Sequence, residues 1–202
     1  MPVIKKATKE TYEQLQNRFK ELSHLERNNI VTNPQNWNKI LDESGIPKRY
    51  RPYTLKTFQN IKDENIEKSV KICTEYVENF KTYQKEGKGI LLMGSPGRGK
   101  TTLACAVGME ILKQDTNKIY FVSMAKIYDV NLQNIDKKDL VIIDDLGVEY
   151  TDNANIMKKL AQIMIILNDN KTPIIITTNL KVGDLITQYP PKISDRINQM
   201  TA

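Results

Sequence analysis

The sequence predicts an α/β fold in which helices sandwich a parallel sheet, preceded by a small helical N-terminal arm. One observation behind this is a set of four short apolar runs, Ile90-Leu91-Leu92-Met93, Ile119-Tyr120-Phe121-Val122, Leu140-Val141-Ile142-Ile143 and Ile174-Ile175-Ile176, alternating with helix-length segments. Strands that read as continuous apolar runs are buried on both faces, as in a sheet whose parallel strands are joined by helical crossovers. A second is the glycine-rich string that follows the first run and opens a helix.

The elements follow in order. From Thr11 to Arg27 the apolar residues Tyr12, Leu15, Phe19, Leu22 and Leu25 form one stripe of an amphipathic helix, with Thr11 and Gln14 as a capping box. This stripe either docks on the chain's own main domain or binds a partner. Asn28, Asn29, Asn33, Pro34 and Asn36 make a turn-rich break, then a helical patch surrounds Trp37, Ile40 and Leu41, and an extended stretch runs from Ile46 to Tyr53. The expected division is a helical partner-binding region over 1–45 and a main domain over 46–202. Val70, Cys73, Val77, Phe80 and Tyr83 mark a helix over 64–84 that ends at Gly87 and Gly89. Between the apolar runs lie helical segments over 100–114 and 154–167 and a short segment over 124–130.

Composition bounds the function. With 202 residues, 40% hydrophobic and 27% charged, the chain has the makeup of one globular domain with an appendage. The apolar run from Ile163 to Leu167 is far shorter than the roughly 20 residues needed to span a bilayer. No apolar stretch follows Lys5 and Lys6 as in a secretory signal, so the expected location is cytoplasmic and away from membranes. Two cysteines, Cys73 and Cys105, and one histidine, His24, make neither a disulfide framework nor a zinc cluster, and both thiols read as small core residues. The net charge of +6 permits nucleic-acid contact without demanding it.

Gly94-Ser95-Pro96-Gly97-Arg98-Gly99-Lys100-Thr101 matches the phosphate-binding pattern G-x-x-x-x-G-K-[ST]. At average residue usage such a string arises by chance in roughly one 200-residue protein in a hundred. Here a buried strand precedes it and Thr102 continues a helix behind it. The glycines let successive N–H groups point at phosphate oxygens, and the helix N-terminus adds positive potential. Lys100 is positioned to reach the β- and γ-phosphates, and the Thr101 hydroxyl to ligate Mg²⁺.

The third run delivers two adjacent carboxylates, Asp144 and Asp145, at the sheet edge where ligands sit in open parallel sheets. Asp144 suits the magnesium shell and Asp145 suits a general base for the attacking water. The fourth run ends in Thr177-Thr178-Asn179 on the same edge; Asn179 either orients the lytic water, touches the γ-phosphate, or simply forms a turn. Small-molecule kinases close several arginines over the nucleotide. After Lys100 this chain contains Arg196 alone, which favours hydrolysis with a charge supplied between subunits.

Taken together, residues 94–101, Leu-Val-Ile-Ile-Asp-Asp-Leu-Gly-Val-Glu at 140–149, residues 174–180 and Ser194-Asp195-Arg196-Ile197 resemble the DnaC/DnaI/IstB branch of the AAA+ P-loop ATPases. Ile46-Pro47-Lys48-Arg49-Tyr50 followed by Thr57-Phe58 is similar to the branch's lead-in, so the resemblance covers residues 46–199. It implies an ATP- and Mg²⁺-dependent helicase loader that forms an ATP-linked homo-oligomer and delivers the replicative helicase, held through residues 1–45, to single-stranded DNA. It also implies that Arg196 is the arginine finger reaching the neighbour's γ-phosphate, a solvated helix residue being the alternative, and that residues 50–58 cover adenine. A transposition helper uses the same chemistry with another partner, and a nucleotide-switched helicase-binding module with little turnover is a further alternative.

The sequence departs from the branch in three places. The connection from the second strand to the Asp-Asp strand is only Ser123 to Lys138, leaving Met124, Lys126, Tyr128, Lys137 and Lys138 as the residues offered for a DNA grip. The sequence stops six residues after Arg196 with no second sensor arginine, so either it is trimmed there or release depends on Arg196 and Asn179 alone. The cysteine-bearing zinc module of some loaders is also missing, which leaves the helical stripe and basic residues of 1–45 to engage a helicase.

Overall fold

The computed structural model describes residues 34–58, 61–114, 118–147 and 154–201. The helical stripe expected over 11–27 lies outside them. The four apolar runs become β1 (Ile90–Met93), β2 (Ile119–Ser123), β3 (Leu140–Leu146) and β4 (Ile174–Thr178). They pair in the order β1-β4-β3-β2, all parallel. β3 and β4 are central, and Val141, Ile142, Ile143, Ile174, Ile175 and Ile176 are each 0% exposed. Side chains alternate along a strand. Ile142 and Ile175 therefore join one core, with Leu103 and Ile111 of the helix behind the glycine-rich loop, while Val141, Ile143, Ile174 and Ile176 join another on the opposite face.

Helices supply both covers. On the first face lie α1 (Pro34–Glu43), α2 (Leu55–Phe58), α3 (Glu64–Glu78), α4 (Phe80–Glu86) and α5 (Lys100–Gln114). Trp37 and Leu41 of α1 belong to the same core as α5. On the second face lie α6 (Ala154–Asp169) and α8 (Pro191–Met200), after the short α7 (Val182–Gln188). Ile193, Ile197 and Met200 of α8 recur at helical spacing and are buried in the second core, which holds this helix against α6. Among the described residues no helix is long and apolar enough to cross a membrane. Cys73 and Cys105 are free and buried; burial alone pushes the Cys73 thiol up to about 12 and is the largest cause of the upward shift at Cys105, so both are inert core side chains.

Three local expectations change. The helix expected over 64–84 breaks at Asn79, whose side-chain amide donates to the Glu75 carbonyl and competes with the helical ladder. The segment over 124–130 is a 3₁₀ stretch, Met124–Asp129, followed by a second turn, Leu132–Asn134, in which the Gln133 amide donates to the Asn131 side chain. The stretch expected to be extended over 46–53 instead folds into a 3₁₀ turn, Lys48–Tyr50, leading to α2.

Arg51 explains that last change. Its guanidinium is buried, with Nε donating to the Ile46 carbonyl at 2.9 Å, Nη2 to the Leu41 carbonyl at 3.0 Å and Nη1 to Asp42 at 2.7 Å. One side chain thereby closes the C-terminal end of α1 and folds the following turn onto it. Arg51→Ala should lower the unfolding free energy by about 3 kcal/mol, because two buried carbonyls lose charged donors. A denaturant titration checks this, and an unchanged midpoint would show that the turn is held by other contacts.

The same core geometry places the residues offered for a DNA grip. Met124 is 1% exposed and packs in the second core, so it has no surface to give a ligand. Residues 124–129 follow the C-terminal end of β2, whereas Lys137 and Lys138 precede β3, at the other end of two parallel neighbours. Lys138 lies over the Tyr120 ring, 5.5 Å from its centre. The five residues do not form one continuous groove.

Candidate functional site

Because the strands are parallel, the loops after β1, β3 and β4 meet at one edge of the sheet. The loop after β1 carries Gly94 to Gly99 and leads into the first turn of α5, where Lys100, Thr101 and Thr102 stand. Gly97 and Gly99 adopt φ of 75° and 82°, values that favour glycine over any residue with a Cβ. Arg98 at the loop's tip donates to Asp63 at 3.1 Å, and the other oxygen of Asp63 caps α3 through the amides of Asn65 and Ile66. The exposed pair contributes little stability, but it tethers the loop to a helix start.

Lys100 is the hub. Its ammonium donates to the carbonyls of Gly94 at 2.7 Å and Ser95 at 2.9 Å, and to the side-chain oxygen of Asn179 at 2.7 Å. Burial lowers its pKa, opposed by the charges of Asp145 and then Asp144.

The two carboxylates come from an irregularity that sequence does not reveal. Ile143 pairs with Ile176 and Leu146 with Thr178, so β3 carries one residue more than β4 over this step. The bulge falls on Asp144 and Asp145, and Asp145 takes a left-handed φ of 59°. In a regular strand adjacent side chains face opposite sides. A bulge re-aims them, and here both charges act on Lys100. Asp144 is 4% exposed, and this burial raises its pKa, while hydrogen bonds from the Thr101 and Thr177 hydroxyls lower it. Asp145 raises it further, and Arg49 from the lead-in opposes that.

The paired hydroxyl of Thr101 and carboxylate of Asp144 form a hard oxygen donor set. Among the described residues no cluster of His, Cys, Asp or Glu could cage a metal by itself. Few protein oxygens, with water and phosphate completing the shell, is the way Mg²⁺ is held at nucleotide sites. The residues present fit that ion.

A family model for the IstB-like ATP-binding protein matches residues 50–189. The chain belongs to this IstB-like ATP-binding family. Solved structures similar to it include the DnaC helicase loader, 25% identical with a TM-score of 0.69 over 77% of this chain and 97% of that one. Another is DnaI, 21% identical with a TM-score of 0.65, covering 77% and 92% respectively, a likeness of fold. The Replication factor C large subunit of Methanococcus maripaludis is 30% identical over 140 residues, 65% of this chain and 27% of that protein. The chain thus spans about a quarter of that relative's length. The α/β architecture expected from sequence, that of the AAA+ helicase-loader structures, is the one observed.

In this IstB-like domain the structure brings Lys100, Thr101, Asp144, Asp145 and Asn179 together at one sheet edge. It does not bring Arg196 to them. Arg196 lies on α8, where Nη1 donates to the Lys192 carbonyl at 2.6 Å. Its Nε is buried without a hydrogen-bond partner among the described residues.

Sequence reasoning missed two contributors. Thr177 joins Asp144 and Asp145 through one hydroxyl, a role for which the adjacent Thr-Thr pair gives no periodic or compositional sign. Arg49 sits with its guanidinium 4.7 Å from the centre of the Tyr50 ring and puts a positive charge near Asp144. The lead-in string Ile46 to Tyr50 carried a signal for it in its adjacent bases Lys48 and Arg49, whose charge reaches beyond their own contacts.

Proposed function

We propose that the chain is an ATPase that works between protomers as a helicase loader in DNA replication. The observation that carries the reading is the Lys100–Asn179 hydrogen bond beside the two bulged carboxylates. It unites a phosphate-binding lysine, a candidate metal ligand, a base and a polar sensor on one edge. The similarity to the DnaC helicase loader, over 97% of that chain, supports the partner class.

The residues divide the work of phosphoryl transfer to water. The loop from Gly94 to Thr102, through the backbone N–H groups of Gly97 to Thr102, and the Lys100 ammonium bind the β- and γ-phosphates, Lys100 exchanging its loop carbonyls for phosphate oxygens. Thr101 and Asp144 would hold Mg²⁺, and its charge would offset that of the phosphates. Asp145 accepts a proton from the attacking water as its oxygen bonds to the γ-phosphorus. The bond to the β–γ bridging oxygen breaks, and ADP leaves carrying the electron pair. Asn179 orients that water or the γ-phosphate. Arg196 of a neighbouring protomer stabilises the transferred group, so that ATP links subunits and hydrolysis releases them.

Lys100→Ala should weaken binding of a fluorescent ATP analogue by about 10- to 100-fold, the worth of one or two charge-assisted hydrogen bonds, and remove steady turnover. Retained turnover would remove Lys100 from the site. For the partner, the tagged chain with and without residues 1–33, a cut that keeps the core residues Trp37 and Leu41, is used to capture proteins in the presence of a slowly hydrolysed ATP analogue. Recovery of the replicative helicase that depends on 1–33 supports the loader. The match to the IstB-like family favours a second reading, a transposition helper, and recovery of a transposase instead would select it.

A further inference from the structure

We propose that Thr177 is a positioning residue that sets both carboxylates of the site at once, by donating its hydroxyl to Asp144 and accepting the backbone N–H of Asp145. The inference rests on the hydrolytic reading above and deepens it. The Thr177 hydroxyl lies 2.8 Å from Asp144 Oδ1 and 2.8 Å from the Asp145 nitrogen. A backbone N–H only donates and an ionised carboxylate only accepts, so the direction of both bonds is fixed without ambiguity. Thr177 is 0% exposed on a central strand, which leaves its hydroxyl little freedom to turn elsewhere.

The second bond falls where the backbone needs it. Asp145 holds a left-handed φ of 59° on a bulge, a conformation uncommon outside glycine that Asp tolerates at some cost. The Thr177 hydroxyl holds its amide from the neighbouring strand. The next residue does a different job: Thr178 donates to the Leu146 carbonyl and accepts from the Leu180 amide, fixing the strand exit that carries Asn179. Among the described residues, Thr177 is the side chain whose hydrogen bonds reach both the candidate metal ligand and the candidate base.

Thr177→Val keeps the branched shape and removes the hydroxyl. In the full chain, affinity for a fluorescent ATP analogue in EDTA should stay within about threefold of wild type. The Mg²⁺ concentration for half-maximal effect should rise, and kcat fall, by about 10- to 100-fold, the usual cost of losing a group that orients a metal ligand. The KM for ATP at saturating Mg²⁺ should stay close to wild type, and Thr177→Ser should recover most of both losses, which a packing role would not produce. A folded Val variant with wild-type Mg²⁺ dependence and kcat overturns the proposal. Should the wild type show no turnover, the hydrolytic reading fails and Mg²⁺-dependent tightening of nucleotide binding decides. Its loss in Thr177→Val supports the positioning role, and its retention overturns it. If Thr177→Val does not fold, Thr177→Ala passes through the same titrations.

Discussion

Asp145→Asn should lower kcat for ATP hydrolysis by about a thousandfold and leave ATP affinity within about threefold, the signature of losing a general base without losing the binding site. The substitution is close to a pure change of charge. Asp145 sits at a φ of 59°, in the left-handed region, where Asn is tolerated as well as Asp. The backbone bond to the Thr177 hydroxyl does not involve the carboxylate and survives the change. Asp144 loses a like-charged neighbour that raises its pKa, so its ionised form is favoured. Lys100 loses one of the two charges that oppose its desolvation, but a bound γ-phosphate restores more negative charge than Asn removes. The variant should therefore accumulate in the ATP-bound, assembled state. Single-turnover hydrolysis and size measurement with ATP test this together, and turnover within tenfold of wild type would take Asp145 out of its role.

Some of this site is legible in sequence because its signals are local. The phosphate loop is contiguous from Gly94 to Thr101, and the positions needing glycine are fixed by that short turn. The strands are legible for a related reason: Val141 to Ile143 and Ile174 to Ile176 are buried on both faces, so no polar residue interrupts them. What stays hidden depends on pairing across the sheet. Nothing in Leu-Val-Ile-Ile-Asp-Asp-Leu says that β3 carries an extra residue there, because a bulge is defined by the strand beside it. The Thr177 bonds to Asp144 and Asp145 span more than thirty positions and come from the same register.

The lead-in shows the opposite limit. Proline at 47 and 52 reads as extended backbone, yet one buried guanidinium, Arg51, overrides that preference by gathering two carbonyls and a carboxylate. Arginines near a phosphate site invite a functional reading. Of the neighbours Arg49 and Arg51, the second is structural, and only the fold separates them. Asn79 makes a smaller point of the same kind, since apolar spacing from Val70 to Tyr83 is helical throughout while one side-chain amide divides the helix.

Arg196→Ala should lower hydrolysis by about a thousandfold or more, as removal of an arginine finger does, without changing the ATP affinity of a single protomer. Within one chain Arg196 makes a poor structural residue. Among the described residues it donates one bond to a carbonyl of its own helix, and its Nε is buried without a partner. Buried unpaired polar atoms are uncommon and cost stability, so their retention asks for another use. The Nη groups, which among the described residues reach only a carbonyl of their own helix, are the donors that a neighbouring protomer's phosphate would take. The alanine variant should therefore fold at least as stably as wild type while losing turnover and its dependence on protein concentration. Mixing supplies the stringent test. Arg196→Ala has an intact site and no finger, whereas Asp145→Asn has an intact finger and no base. If the finger acts in trans, the mixture hydrolyses ATP faster than either variant alone, because mixed interfaces pair one good site with one good arginine. A mixture no faster than the average of its parts, or an Arg196→Ala protein with full turnover at high concentration, would place Arg196 outside the reaction.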